Sequence, residues 1–271
     1  MSKSFTKLIN NLEKVLLSYH TPVIAVSGGV DSMTLSSFAQ LTLGKKKVRM
    51  VHAISPAVPK AGTMRVKVQS EIEGWNIQFI DAGEFSDNRY LENPVNRCFF
   101  CKSNLYETLS QLATGTILSG TNVDDLDDYR PGLQAAENNS VCHPFVEAGF
   151  EKSDLRLLAK SLGLSELSIL PASPCLSSRV QTGIKIREDD LASIDSYEVW
   201  FQGTFSPEVV RCRIRVAGIT IELDDATLKS LSEQDRDRIE MEALNYFPQF
   251  GRVSVVISEY KQGSAFVGKK I

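Results

Sequence analysis

Ten residues near the N-terminus, Val23-Ile24-Ala25-Val26-Ser27-Gly28-Gly29-Val30-Asp31-Ser32, constrain the fold more than any other stretch. Four apolar residues, three of them β-branched, read as a short buried strand, Ser27 to Gly29 as a turn, and Met33 to Ala39 as the continuation of a helix. In a strand–glycine loop–helix unit, several backbone N–H groups and the helix N-terminus converge on one spot, and glycines leave that spot open to close approach. Such a spot binds phosphate. The loop lacks both the Lys-Ser/Thr ending of a Walker A loop and the Gly-x-Gly-x-x-Gly of a dinucleotide fold. A glycine turn that only packs a helix on a sheet is the plainer alternative.

With 271 residues, the chain suffices for one large domain or two modest ones. The balance of 30 basic against 33 acidic residues argues against a general nucleic-acid surface. Phe5, Leu8, Ile9, Leu12, Val15 and Leu16 recur at helical spacing, which predicts an amphipathic N-terminal helix rather than a signal peptide. No run is long enough to cross a bilayer. A soluble, cytoplasmic protein is the expectation, and five cysteines in that setting read as thiols or metal ligands rather than a disulfide framework.

Strand patterns follow at Val48 to Ile54, Ile77 to Asp81 and Thr116 to Ser119, alternating with helical spacing from about Thr63 to Glu73 and through Leu105, Leu109 and Leu112. This alternation predicts an α/β fold: a Rossmann-like, mostly parallel sheet with helices on both faces. His52, at a strand's carboxyl end, reads equally as a nucleotide neighbour or a core histidine. The turn Gly120-Thr121-Asn122-Val123-Asp124-Asp125 is followed by Asp127 and Asp128. Its acidity, in one chain with a phosphate loop, suggests a Mg²⁺ site, whereas alone it would read as a solvated loop. A helix from Lys152 to Lys160 is expected to start on a Ser153 or Asp154 cap. The prolines of Pro171-Ala172-Ser173-Pro174-Cys175-Leu176-Ser177-Ser178-Arg179 hold Cys175 in a loop. Beyond about Thr182, helical spacing over 187–199, a strand over 209–216, one or two helices over 224–244 and a last strand over 253–257 indicate a small α+β domain. The expected division is therefore 1–181 and 182–271.

Cys98 and Cys101 stand at the start of a helix, where terminal N–H groups favour thiolates. A pair at this spacing suits zinc, iron–sulfur or redox chemistry. With Cys175 it would make three thiolates and an open fourth position, a set that suits a 4Fe–4S cluster better than a closed zinc site.

The Ser-Gly-Gly-x-Asp-Ser loop resembles the pyrophosphate loop of the ATP pyrophosphatases. Together with Gly120 to Asp125, Tyr129-Arg130-Pro131-Gly132, the segment Pro171 to Arg179, Arg213-Ile214-Arg215 and Gly263-Ser264, it makes nearly the whole chain resemble the LarE family of sulfur transferases, which act in making the nickel-pincer nucleotide of lactate racemase. The motif around Cys175 is the most specific of these. The resemblance implies an adenine-nucleotide α-hydrolase-like fold and ATP with Mg²⁺ bound by Ser27, Gly28, Gly29, Asp31, Ser32, Gly120, Thr121, Asn122, Asp124 and Asp125. It implies as substrate pyridinium-3,5-biscarboxylic acid mononucleotide, adenylated on a carboxylate with pyrophosphate released and then converted to a thiocarboxylate. The sulfur comes, by resemblance, either from Cys175 itself or from a cluster on Cys98, Cys101 and Cys175 that carries an extra sulfide. The presence of Cys98 and Cys101 favours the cluster.

Arg213 and Arg215, two apart on a strand, share a face and suit the substrate's phosphate or second carboxylate. Arg179 and Arg130 are weaker candidates, with Glu198 as a partner. A sulfide source and further copies of the same chain complete the expected partners. An amide synthetase or a tRNA-thiolating enzyme with the same loop, and a zinc-stabilised module that senses ATP without turnover, are the competing readings.

Overall fold

The computed structural model describes residues 3–112, 115–126, 131–171 and 173–266. Asp127, Asp128, Tyr129, Arg130 and Ala172, which belong to stretches quoted above, lie outside the described residues. The chain forms two compact units: Met1–Asp87 with Asn96–Ser173, and Asn88–Val95 with Pro174–Ile271. The division thus falls at Ser173/Pro174 rather than at 181/182. Its cause is local: Leu176–Arg179 forms a 3₁₀ turn, and the next residue, Val180, bridges Ile214 of the second unit's sheet.

The first unit is built on four parallel strands, β1 (Val23–Ala25), β2 (Arg49–Ala53), β3 (Ile77–Ile80) and β4 (Ile117–Leu118), in the order β3-β2-β1-β4. Parallel neighbours need long crossovers. The helices Val30–Leu43 and Lys60–Glu73 supply the first two, and Arg97–Leu112 lies in the third. Adjacent strand residues face opposite sides. Ile24, Met50 and Leu118 therefore join Leu12, Leu16, Met33 and Leu155 in one apolar cluster, while Val23, Val51 and Ile117 join Tyr106, Leu109 and Ala135 in another. Helices cover both faces, as an α/β sheet requires. Each fully buried aliphatic side chain contributes about 1.5–3 kcal/mol.

The N-terminal helix spans Lys3–Ser18 and buries Phe5, Leu12 and Leu16. The helix Lys152–Ser161 is capped by Glu151, not by Ser153 or Asp154. Glu151 has the extended backbone of a cap, and Asp154, three residues on, accepts the Glu151 N–H at 3.3 Å in a reciprocal capping box. From β1 the chain adds β2 and β3 on one side and then returns to place β4 on the other. The strand order reverses between β1 and β4, and ligands of open α/β sheets bind at the carboxyl ends of such strands.

The second unit has a three-stranded sheet, β5 (Val210–Arg215), β6 (Gly218–Leu223) and β7 (Ser254–Glu259), with β5 and β6 antiparallel and β7 parallel to β6. Strand β6 has no counterpart in the expected elements. The helix Glu188–Phe205 buries Leu191, Ile194, Tyr197 and Phe201 at spacings of three and four, and Tyr197 packs against Phe247. Helices Asp225–Ser230 and Glu233–Tyr246 complete the unit. Among the described residues no helix is long and apolar enough to cross a membrane.

Candidate functional site

The turn after β1 is shaped by contacts that only glycine permits. Gly28 has φ +80°, and a Cβ there would lie 2.4 Å from the Gly62 carbonyl oxygen. Ser32 Oγ accepts from the Ser27 N–H at 3.0 Å, lies 3.0 Å from Ser27 Oγ and donates to the Gly29 carbonyl at 3.3 Å. The loop is also bolted from behind. Arg65 Nε donates to the Gly28 carbonyl at 3.0 Å. His52 is fully buried, with Nδ1 2.7 Å from the Val26 carbonyl and Nε2 3.0 Å from Thr63 Oγ1. A carbonyl only accepts, so Nδ1 carries a proton. Burial lowers the His52 pKa, against the hydrogen bond to Val26, which raises it. His52 is thus a core latch one strand behind the turn.

The turn after β4 docks directly on this loop. A Cβ at Gly120 would lie 2.7 Å from the Ser32 backbone nitrogen, so the two turns touch backbone to backbone. Together they open a cavity of about 240 Å³. Ser27, Asp31, Ser32, Gly120, Thr121 and Asp125, all expected in a nucleotide site, line it. Asn122 is fully buried beside them, and neither end of its side-chain amide has a hydrogen-bond partner among the described residues. Buried amides of this kind call for a ligand or an ordered water. Asp125 Oδ2 accepts the Asn122 N–H at 3.2 Å.

Asp31, in the first turn of the helix Val30–Leu43, is ion-paired with Lys152. Burial raises the Asp31 pKa and the Lys152 ammonium opposes that rise. The Lys152 backbone N–H donates to Asp124 Oδ2 at 2.7 Å. Mg²⁺ takes one or two carboxylates and fills its remaining positions with phosphate oxygens and water. Asp31 and Asp125 on the wall of one cavity fit that demand.

The four charged residues assigned to substrate lie together in the second unit, each with an internal partner. Arg179 grips Glu198 through two parallel bonds of 3.0 Å and donates to the carbonyls of Pro174 and Cys175 at 2.7 and 3.2 Å. Glu198 also accepts the Cys212 N–H at 2.9 Å. Arg213 and Arg215 do share a face, since both reach Glu222, at 2.6 and 2.7 Å. Arg213 Nη1 additionally donates to the Ser178 carbonyl at 3.0 Å, and Ser264 Oγ donates to Glu222. This network braces the loop that carries Cys175. Arg213 is buried, whereas the Arg215 side chain keeps 22% exposure.

Cys98 and Cys101 lie in the first two turns of the helix Arg97–Leu112, three residues apart and so on one face, and both are half-buried. Cys175, also half-buried, precedes the turn Leu176–Arg179 of the second unit. Among the described residues no group of three or more His, Cys, Asp or Glu side chains is gathered for a metal ion. Burial raises the pKa of both remaining thiols, Cys142 and Cys212.

Several residues enter only with the structure. Lys102 and Tyr106 line the cavity, with the Lys102 ammonium 5.8 Å from the Tyr106 ring centre. Ser119 Oγ, also on the cavity wall, lies 2.8 Å from His143 Nδ1. Tyr90 Oη lies 2.5 Å from Ser177 Oγ. The Asn93 amide donates to the carbonyls of Gln181 and Ile184 at 2.9 and 3.0 Å. The adjacency of Lys102 to Cys101 was the one local signal among them.

No family model matches the chain. An uncharacterized protein of Synechocystis sp. is 34% identical over 198 residues, which cover 72% of this chain and 73% of that protein. An uncharacterized protein of Methanocaldococcus jannaschii is 26% identical over 261 residues, 94% of this chain and 96% of the relative. The pyridinium-3,5-bisthiocarboxylic acid mononucleotide synthase of Lactiplantibacillus plantarum is 29% identical over 228 residues, 82% of each chain.

Proposed function

We propose that the chain is a member of the LarE-like family and an ATP-dependent sulfur transferase whose substrate is pyridinium-3,5-biscarboxylic acid mononucleotide. The observation that carries this reading is the docking of the Ser27–Ser32 and Gly120–Asp125 turns around one cavity that also holds Asp31 and Asp125. A carboxylate is a poor acceptor of sulfur because its leaving group would be oxide. In the proposed reaction a carboxylate oxygen of the substrate attacks the α-phosphorus of ATP, the α–β phosphoanhydride bond breaks and pyrophosphate leaves. The amides of the Gly28 turn and the N-terminus of the helix Val30–Leu43 stabilise the departing charge. The acyl-adenylate then presents a carbon whose leaving group is AMP. A sulfur nucleophile attacks that carbon, AMP departs and a thiocarboxylate remains.

Thiols are the donors that an iron–sulfur cluster takes, and Cys98, Cys101 and Cys175 are the proposed ligands. A 4Fe–4S cluster on them would supply a sulfide at its unligated iron. The chain's own contribution is then to hold Cys175 on a fixed turn, through the grip of Arg179 on the Pro174 and Cys175 carbonyls. Arg215, partly exposed, is proposed to meet an acidic group of the substrate. The same grip favours one alternative, in which the Cys175 thiolate attacks the acyl carbon itself. Elimination then breaks its Cβ–Sγ bond with loss of the α-proton, leaving dehydroalanine and the thiocarboxylate.

The test is incubation of anaerobically purified protein with ATP, Mg²⁺ and the dicarboxylate mononucleotide. Expected are AMP, pyrophosphate and a product in which sulfur has replaced oxygen; release of ADP would refute adenylation. Iron and sulfide in the purified protein, both lost in Cys98→Ser, support the cluster. Stoichiometric zinc without iron would refute it, and dehydroalanine at position 175 would identify the sacrificial route.

A further inference from the structure

The ion pair between Asp31 and Lys152 stands out because an anion site does not ordinarily present a carboxylate to its ligand. Asp31 belongs to the first turn of the helix whose N-terminus closes the phosphate loop, and it lies on the cavity wall. With no cation beside it, its charge would repel the phosphates that the surrounding amides attract. Lys152 supplies that cation. It opens the helix Lys152–Ser161, and its backbone N–H is anchored on Asp124, so the base of the side chain is fixed while its ammonium contacts both oxygens of Asp31. The pair is not sealed: the side chains keep 36% and 25% exposure. Partly exposed pairs are weak and readily exchanged, and a lysine ammonium is a point charge on a flexible stem with three donors to redirect.

We propose that Lys152 is the standing counter-ion of the phosphate loop: its ammonium neutralises Asp31 when no nucleotide is bound, yields that carboxylate to the magnesium delivered with ATP, and turns onto the phosphate oxygens. The inference rests on the ATP-site reading above and adds to it a residue and an exchange. Positive charge at Asp31 is preserved throughout, and bare divalent cations are kept off the loop until a nucleotide brings them.

The experiment uses the full chain without nucleotide and titrates Mn²⁺, read by the electron paramagnetic resonance of the unbound ion. Lys152→Met is expected to bind Mn²⁺ at least tenfold more tightly than the native chain, and Lys152→Met/Asp31→Asn to lose that gain. In parallel, the affinity of Lys152→Met for a non-hydrolysable ATP analogue with Mg²⁺ should fall about tenfold, with thermal melting confirming an intact fold. Equal Mn²⁺ affinity in the native and Lys152→Met chains, or a gain that persists in the double variant, would overturn the proposal. The titration needs no turnover, so release of ADP in the assay above would refute adenylation without touching this exchange.

Discussion

Alanine at Gly28 and alanine at Gly62 should move stability in opposite directions, although the two residues face each other. At Gly28 the backbone is left-handed, φ +80°, and the added methyl would meet the Gly62 carbonyl oxygen at 2.4 Å and its carbon at 2.8 Å. A left-handed residue with a Cβ costs about 1–2 kcal/mol, and a methyl forced into closed packing about 1–3 kcal/mol more. The combined loss is about 2–5 kcal/mol, a large share of the roughly 5–15 kcal/mol that holds a domain together. A methyl at Gly62 meets nothing nearer than 3.6 Å and sits inside the helix Lys60–Glu73. There alanine should be neutral or stabilise by up to about 1 kcal/mol. Urea unfolding read through Trp75, buried in the first unit, measures both. The same Gly28 variant should bind an ATP analogue at least tenfold more weakly, because relief of the clash must move the turn whose amides face the cavity. Equal unfolding midpoints for the two variants would refute the claim that Gly28 is fixed by this contact.

Gly120→Ala places a methyl 2.7 Å from the Ser32 nitrogen, so it should part the two turns and weaken analogue binding tenfold or more, measured by calorimetry. Glu222→Gln leaves the buried Arg213 without its anion and should cost the second unit about 3–5 kcal/mol in urea, with a faster reaction of Cys175 with alkylating agents as its loop loosens. Burial depresses the pKa of both His52 and His143, so below the ordinary value of about 6.5 the unfolded chain binds protons that the folded chain refuses. Through these two histidines stability should therefore fall as pH drops beneath that point, and above it they should contribute no further change. His52→Gln should reduce the slope in pH-dependent melting.

Local chemistry was the legible part of this chain. The strand, turn and helix around Ser27 are encoded by neighbours, and so is the parallel sheet, whose strands alternate with helices along the sequence. Strand β6 carries a local pattern too, since Ile219, Ile221 and Leu223 alternate with Thr220 and Glu222. The short helix Pro131–Asn138 carries Gly132 in its first turn and ends on Asn138, followed by Asn139, residue types that read locally as a turn. Pairings carried no local mark at all. Lys152 meets Asp31 across 121 positions, and Tyr90 meets Ser177 across 87. The spacing of Arg213 and Arg215 marks them as a pair, while Glu222, which holds both, is identifiable only once β6 is laid antiparallel to β5.

The excursion of Asn88–Val95 into the second unit limits how this chain can be cut or recombined. A fragment beginning at Pro174 would contain every strand of its sheet and still lack the amide of Asn93 and the hydroxyl of Tyr90. The carbonyls of Gln181 and Ile184 would then face water or each other. A crossover at Ser173 between two homologous genes would thus join a loop to a foreign clasp, and viable chimeras should be those that inherit residues 88–95 and 174–266 from one parent.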